Sequence, residues 1–129
     1  RDQAAAARFY EQVLAASPRL DVPGMTEFAL PGGAILGLMP ERGIERLLAP
    51  DLPDPAAAHG VARSELYLLV ADPQEHHARA LAAGASELSP FGARDWGHDV
   101  AYSLDLDSHV LAFARRGAPR VARTSSSRS

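Results

Sequence analysis

The sequence predicts an α+β domain made of two similar halves. Helical periodicity appears twice, near the start and in the middle of the chain, and each helix is followed by short apolar runs of strand type. The two helix starts, Asp2 and Asp72, and the segments Ala34-Ile35-Leu36-Gly37-Leu38 and His109-Val110-Leu111-Ala112-Phe113 repeat at a spacing of about 70–75 positions. A chain of 129 residues that is 47% hydrophobic is of a size to bury a single core.

The first helix starts at Asp2, an N-cap residue, and runs through the strong helix formers Ala4 to Ala7. Phe9 and Val13 lie one turn apart on one side, as do Tyr10 and Leu14. Ser17-Pro18 is the expected stop, because the residue before proline is pushed out of the helical region. Extended chain follows, and Thr26–Leu30 and Ala34–Met39 pair as a hairpin around Pro31-Gly32-Gly33. Residues Pro40 to Ala62 hold four prolines and read as a long connection with a short helix at Gly43–Leu48.

Glu65–Ala71 is the next strand, and Asp72-Pro73-Gln74-Glu75 has the proline and the acid of a helix first turn. Gly84 sits where a left-handed cap ends that helix. Ala85–Leu88, Val100–Leu104 and His109–Arg115 are three further strands. The second half is thus a complete β-α-β-β-β unit, whereas the first lacks the strand that should precede its helix. That strand is expected either before Arg1 in a longer chain or from another chain, and the first is favoured. The domain is therefore divided as module one over 1–40, a connection over 41–62 and module two over 63–115. The Arg- and Ser-rich segment from Arg116 to Ser129 is expected to be a disordered tail.

Composition excludes several function classes. Cysteine is absent, so thiolate metal sites, a thiol nucleophile and disulfides are ruled out, and a reducing, cytoplasmic setting is expected. Thirteen basic and sixteen acidic residues, with no basic stretch outside the tail, give no footprint for nucleic acid. Uncharged apolar runs reach only about seven or eight residues against the ~20 that a membrane span needs. Lysine is absent and arginine and alanine abound, a compositional hint of a GC-rich bacterial gene.

Three stretches carry a resemblance: Ala7-Arg8-Phe9-Tyr10-Glu11-Gln12-Val13-Leu14; Glu65-Leu66-Tyr67-Leu68-Leu69-Val70-Ala71-Asp72 with the helix ending at Ala83-Gly84-Ala85; and Arg94-Asp95-Trp96-Gly97-His98 leading to Asp105-Leu106-Asp107-Ser108-His109-Val110-Leu111-Ala112-Phe113. In this order they resemble the vicinal-oxygen-chelate superfamily, which groups glyoxalase I, extradiol dioxygenases, fosfomycin-resistance enzymes and bleomycin-resistance proteins. The resemblance implies two βαβββ modules forming a cup-shaped mixed sheet, usually in a homodimer. Metal-dependent members place His or Glu at equivalent strand positions. The matching positions here are Gly37 and Ala112, which supply no ligand, and Glu65, which supplies one. A useful site needs at least three protein ligands, so no metal cofactor is expected.

Gly37 and Ala112 are equivalent in the repeat, and their small side chains should widen the floor of the cup into a roomy apolar cavity. Period-two alternation puts Glu65, Tyr67 and Leu69 on one face of their strand, and the usual ligand direction turns that face to the cup. Trp96 resembles the aromatic of drug-binding relatives, and Tyr67 and Phe91 are further stacking walls. Arg94 and Met39 complete the candidate ligand-binding set. Glu65 serves as a ligand contact, as a base, or as the ion-pair partner of Arg63 or Arg94. His76-His77 is expected to be exposed, and no histidine spacing is that of a metal motif. Asp105 and Asp107 belong to a turn in which Asx side chains bond their own backbone.

The favoured function is a glyoxalase/bleomycin-resistance-like protein that binds a small apolar or aromatic molecule, with antibiotics among the candidates, in a metal-free cup without turnover. The alternative is a lyase, isomerase or dioxygenase-type enzyme of the same superfamily that uses Glu65 as base or as one ligand of a divalent metal.

Overall fold

The computed structural model describes residues 1–117. Asp2 caps α1 (Gln3–Leu14), its carboxylate accepting from the Ala5 amide at 3.0 Å. The helix stops three residues before the expected Ser17-Pro18 break, with Ala15 in the left-handed region at φ 52°. The reason lies outside the helix. The Arg79 guanidinium donates to the Val13 carbonyl at 3.0 Å, taking the acceptor that a continuing helix would give to Ser17.

Strands β1 (Leu20–Val22), β2 (Met25–Ala29) and β3 (Ile35–Leu38) form an antiparallel sheet in that order, with the expected hairpin at Pro31–Gly33. The connection holds α2 (Glu41–Leu48). The second sheet has the order β4-β7-β6-β5, from β4 (Glu65–Leu69), β5 (Ser86–Ala93), β6 (His98–Leu104) and β7 (Val110–Arg116). Only the β4–β7 pairing is parallel, and α3 (Pro73–Ala82) carries the chain from β4 to β5 at the opposite edge of the sheet. Gly84 ends the descent from α3 at φ 114°, a conformation that a side chain would strain. β4 has no counterpart in the first sheet among the described residues.

Two segments differ from expectation. β5 runs past Leu88 and through Pro90 to Ala93. It tolerates the proline because it is an edge strand, and its register shifts between Glu87 and Ser89 and again before Gly92. β7 extends to Arg116, opposite His98, so Arg116 belongs to a strand and not to the expected tail; the segment 118–129 lies outside the described residues.

The core lies on the helix side of both sheets. Phe9, Tyr10 and Val13 of α1 meet Phe28 of β2, Ala80 of α3, and Leu111 and Phe113 of β7 in one buried cluster. The His76-His77 pair is not the exposed pair expected. His77 is buried and its Nε2 contacts Glu87 at 2.9 Å, while the His76 ring lies 5.6 Å from that of Phe113. No helix among the described residues is long and apolar enough to cross a membrane.

Asp105 in the β6–β7 turn joins the two halves. Its carboxylate accepts from the Asp107 and His109 amides, each at 2.8 Å, from the Tyr10 hydroxyl at 2.6 Å, and from His109 Nδ1 at 3.1 Å. Burial pushes its pKa upward, but the hydrogen bonds from His109, Tyr10 and the two amides outweigh that and hold it below the ordinary 3.8. The same bond raises His109 above 6.5 against the opposing effect of burial. Burial first, then the charge of Asp105, pushes the Tyr10 phenol far up, so it remains a donor.

Asp105→Ala orphans the buried Tyr10 hydroxyl together with two turn amides and should lower stability by about 3 kcal/mol in urea unfolding. Tyr10→Phe, which leaves Asp105 its other donors, should cost about 1 kcal/mol. A depressed carboxylate stabilises the fold above the unfolded pKa of 3.8 and loses that contribution as pH falls through the lower folded value. A raised imidazole stabilises below 6.5 and loses its contribution as pH rises through the higher folded value. The Tm difference between the parent and His109→Gln should therefore peak between about pH 4 and 6.5 and shrink towards pH 9. The His109 side chain is 67% exposed, which limits this contribution to at most about 1 kcal/mol.

Candidate functional site

The helix core takes Leu66, Leu68 and Val70, so Glu65, Tyr67 and Leu69 turn to the opposite face of β4, as the alternation predicts. Across that face Tyr67 stands opposite Ala112, Ala112 opposite Tyr102, Ala114 opposite Val100, and Arg116 opposite His98. Ala112 and Ala114 are small enough for Tyr67 to pack over β7 against Val100. From there its hydroxyl reaches His98 Nδ1 at 2.7 Å, with ring centroids 5.9 Å apart.

Trp96 completes the cluster from the β5–β6 hairpin. The turn is held by Arg94 N–H to the His98 carbonyl at 2.8 Å and Gly97 N–H to the Arg94 carbonyl at 3.2 Å. Gly97 has φ 90°, a position where glycine avoids backbone strain. Trp96 is 56% exposed, yet its orientation is fixed because Nε1 donates to the Tyr67 hydroxyl oxygen at 2.9 Å.

Arg94 serves as a strut. Its guanidinium donates to Ser89 Oγ at 3.0 Å, the Pro90 carbonyl at 2.9 Å and the Val100 carbonyl at 2.8 Å, and lies 5.2 Å from the Tyr102 ring centroid. It therefore does not pair with Glu65. Among the described residues Glu65 forms no ion pair with Arg63 or Arg94; it is exposed at the start of β4. Its charge still reaches the face: burial raises the Tyr102 pKa first, then Glu65 and Tyr67 add to it, with Arg94 opposing.

The structure thus brings Tyr67, Trp96, Arg94, Ala112 and Glu65 together on one face and separates the other candidates. Phe91 lies under the Arg115 guanidinium at 5.1 Å. Arg115 alternates with the face-lining Ala114, so Phe91 stacks on the reverse side of the sheet rather than forming a wall of the cup. Gly37 and Met39 belong to the first sheet and its exit. The expected open floor is filled at both small residues. A Cβ at Gly37 would come within 3.0 Å of Met25 Cε, and Ala112 is completely buried in the cluster that Tyr67 and Tyr102 pack against.

Sequence reasoning missed His98 and Tyr102. Period two along β6 would have found them, since His98, Val100 and Tyr102 share the face that Tyr67 crosses.

A separate cleft of about 730 Å³ opens between α1 and the β1–β2 hairpin, lined in part by Arg1, Arg8, Glu11, Asp21 and Val22. No candidate residue lines it. Gln3, on its wall, is occupied in bracing the hairpin through the Val22 carbonyl, Thr26 Oγ1 and the Gly24 amide.

Of the superfamily's metal positions, the one on the strand before α1 lies outside this sequence, and the three within it do not form a donor set that fits a metal. Gly37 has no side chain, Ala112 is covered, and Glu65 stands alone; no group of three or more His, Asp or Glu able to hold a metal ion occurs among the described residues.

A βαβββ module beside a related antiparallel unit, with one sheet face free of the helix core, defines a member of the vicinal-oxygen-chelate superfamily. The chain belongs to the glyoxalase-like domain family, whose model matches residues 1–114. It is similar in fold to a glyoxalase-related enzyme from Fulvimarina pelagi, with a TM-score of 0.76 at 22% identity over 89% of this chain and 81% of that one. It is also similar to a glyoxalase/bleomycin resistance protein/dioxygenase from Nocardioides (TM-score 0.65, 18% identity, 96% and 83% covered). TioX from Micromonospora sp. ML1 is another such structure (TM-score 0.61, 21% identity, 89% and 90% covered). No curated protein matches the chain.

Tyr67→Phe should free Trp96 from its one side-chain hydrogen bond without emptying the packing over Ala112. Lower steady-state fluorescence anisotropy of Trp96 at an unchanged Tm is the expected result.

Proposed function

We propose that the face formed by Tyr67, His98, Trp96 and Tyr102 binds a small planar organic molecule, and that it does so by stacking rather than through a metal. The observation that carries this reading is the exposed but orientationally fixed Trp96. An indole that leaves more than half its surface in water gains little from burial, yet here it is tied to Tyr67 and held by a glycine turn. Preorganised aromatic surface lowers the ordering cost of binding a flat ligand. Arg94, over the Tyr102 ring at 5.2 Å, braces the same face. The family places the chain among glyoxalase, bleomycin-resistance and dioxygenase-like proteins, a setting in which a cup for a small molecule is the common feature.

Binding without turnover is the simplest chemistry this face performs. Glu65 at its rim supplies one carboxylate, which favours ligands with an amine or hydroxyl at one edge. A panel of planar aromatic compounds titrated against Trp96 fluorescence tests the reading, with isothermal calorimetry for Trp96→Ala, which has no emission of its own. Hits should quench the parent saturably, and Trp96→Ala should weaken them about tenfold, the loss of a stacking contact worth about 1 kcal/mol or slightly more. Unchanged affinity in Trp96→Ala for every hit would place the ligand elsewhere.

A further inference from the structure

The Trp96–Tyr67–His98 chain has a direction. Indole Nε1 carries a hydrogen and no lone pair to offer, so at 2.9 Å the Tyr67 oxygen is the acceptor. The phenol has one hydrogen of its own, and its other contact is His98 Nδ1 at 2.7 Å. With Trp96 on the accepting side of the oxygen, Nδ1 is the one acceptor within reach of that hydrogen among the described residues, and we assign the hydrogen to it. Nδ1 is then the bare nitrogen, and the neutral imidazole carries its hydrogen on Nε2.

Nε2 has no hydrogen-bond partner among the described residues, and it is not one of the unpartnered side-chain atoms sealed from solvent. His98 shares its face with Val100 and Tyr102 by alternation along β6. Arg116 stands directly opposite it on β7, where cross-strand neighbours share a face, and brings an exposed positive charge to the same end of the sheet. The acid next in sequence, Asp99, lies on the other face and is engaged by Arg115 at 3.6 Å. The free N–H therefore stands beside a cation, a setting for an oxygen acceptor.

We propose that His98 is a ligand-binding residue, fixed by Trp96 and Tyr67 as the Nε2–H tautomer, and that it selects planar ligands bearing a carbonyl or carboxylate oxygen. This rests on the stacking face described above and adds the polar group that orients a ligand upon it. The Tyr67 ring belongs to the stacking face, while its hydroxyl has a positioning part, being used up in setting the imidazole.

Two measurements on the full chain test it. In long-range ¹H–¹⁵N spectra of the imidazoles above pH 8, His98 should appear as the Nε2–H tautomer alone, and in Tyr67→Phe it should relax to the mixture of an unconstrained imidazole, in which Nδ1–H is a visible minority. A hydrogen on Nδ1 in the parent would overturn the proposal. The second measurement uses 2-acetylnaphthalene and 2-ethylnaphthalene, which share a ring and differ by a carbonyl. The parent should bind the acetyl compound about fivefold to tenfold tighter, the value of one hydrogen bond. His98→Phe should bring that ratio to about one, and His98→Asn, which keeps an N–H donor, should restore part of it. Equal binding of both compounds by the parent, or an unchanged ratio in a folded His98→Phe, overturns the role of His98 and leaves the stacking face standing. Failure of both compounds to bind the parent overturns the two together.

Discussion

The architecture depends on one constraint, the sharing of a single buried core by the two helices. Phe9, Tyr10 and Val13 of α1 and Ala80 of α3 meet the aromatic and aliphatic side chains of both sheets. Two polar contacts lock the arrangement: Arg79 on the Val13 carbonyl of α1, and Tyr10 on Asp105. Both join groups far apart in sequence, and both satisfy polar atoms that burial would otherwise leave unpaired. Because the helices claim one face of each sheet, the other face of β4, β7 and β6 is left to whatever chemistry its side chains allow.

That chemistry follows from side-chain size. β7 offers Ala112 and Ala114 where larger residues would stand up from the sheet, and Tyr67 uses the room to lie across it. Small residues here do not make a void, because close-packed interiors fill the space they leave. They permit an aromatic to recline and to place its hydroxyl between Trp96 and His98. At Gly37 Met25, an unbranched and adaptable side chain, does the filling instead. The two halves repeat the same small position but use it differently, so the repeat is one of backbone and core rather than of site.

Much of the fold was legible because it rests on local signals. Asp2 and Asp72 marked both helix starts, Gly84 marked a stop, and alternation along Glu65–Leu69 assigned its faces correctly. The misplaced boundaries have tertiary causes: Arg79 comes from another helix to end α1, and β5 survives Pro90 only because it lies at the sheet edge. The burial of His77 is tertiary as well: its partner Glu87 stands on β5, and nothing local in the helix shows that α3 packs there. The site was legible in part. Tyr67 was legible from strand alternation and Trp96 from its glycine-flanked loop, but their hydrogen bond joins positions 29 apart, and no periodicity encodes it. Phe91 was misplaced because the strand was expected to end at Leu88, so no face was counted for a residue that in fact lies within β5, beyond its register shifts.

The central claim is that ligands are taken by the aromatic face of the second sheet and not by the cleft beside α1. A crystal structure of the protein soaked with a planar aromatic compound that binds in solution tests this most directly. The compound should lie stacked on Trp96 and Tyr67, with an edge towards His98. Density confined to the cleft between Arg8, Glu11 and Val22, with the aromatic face vacant, would contradict it.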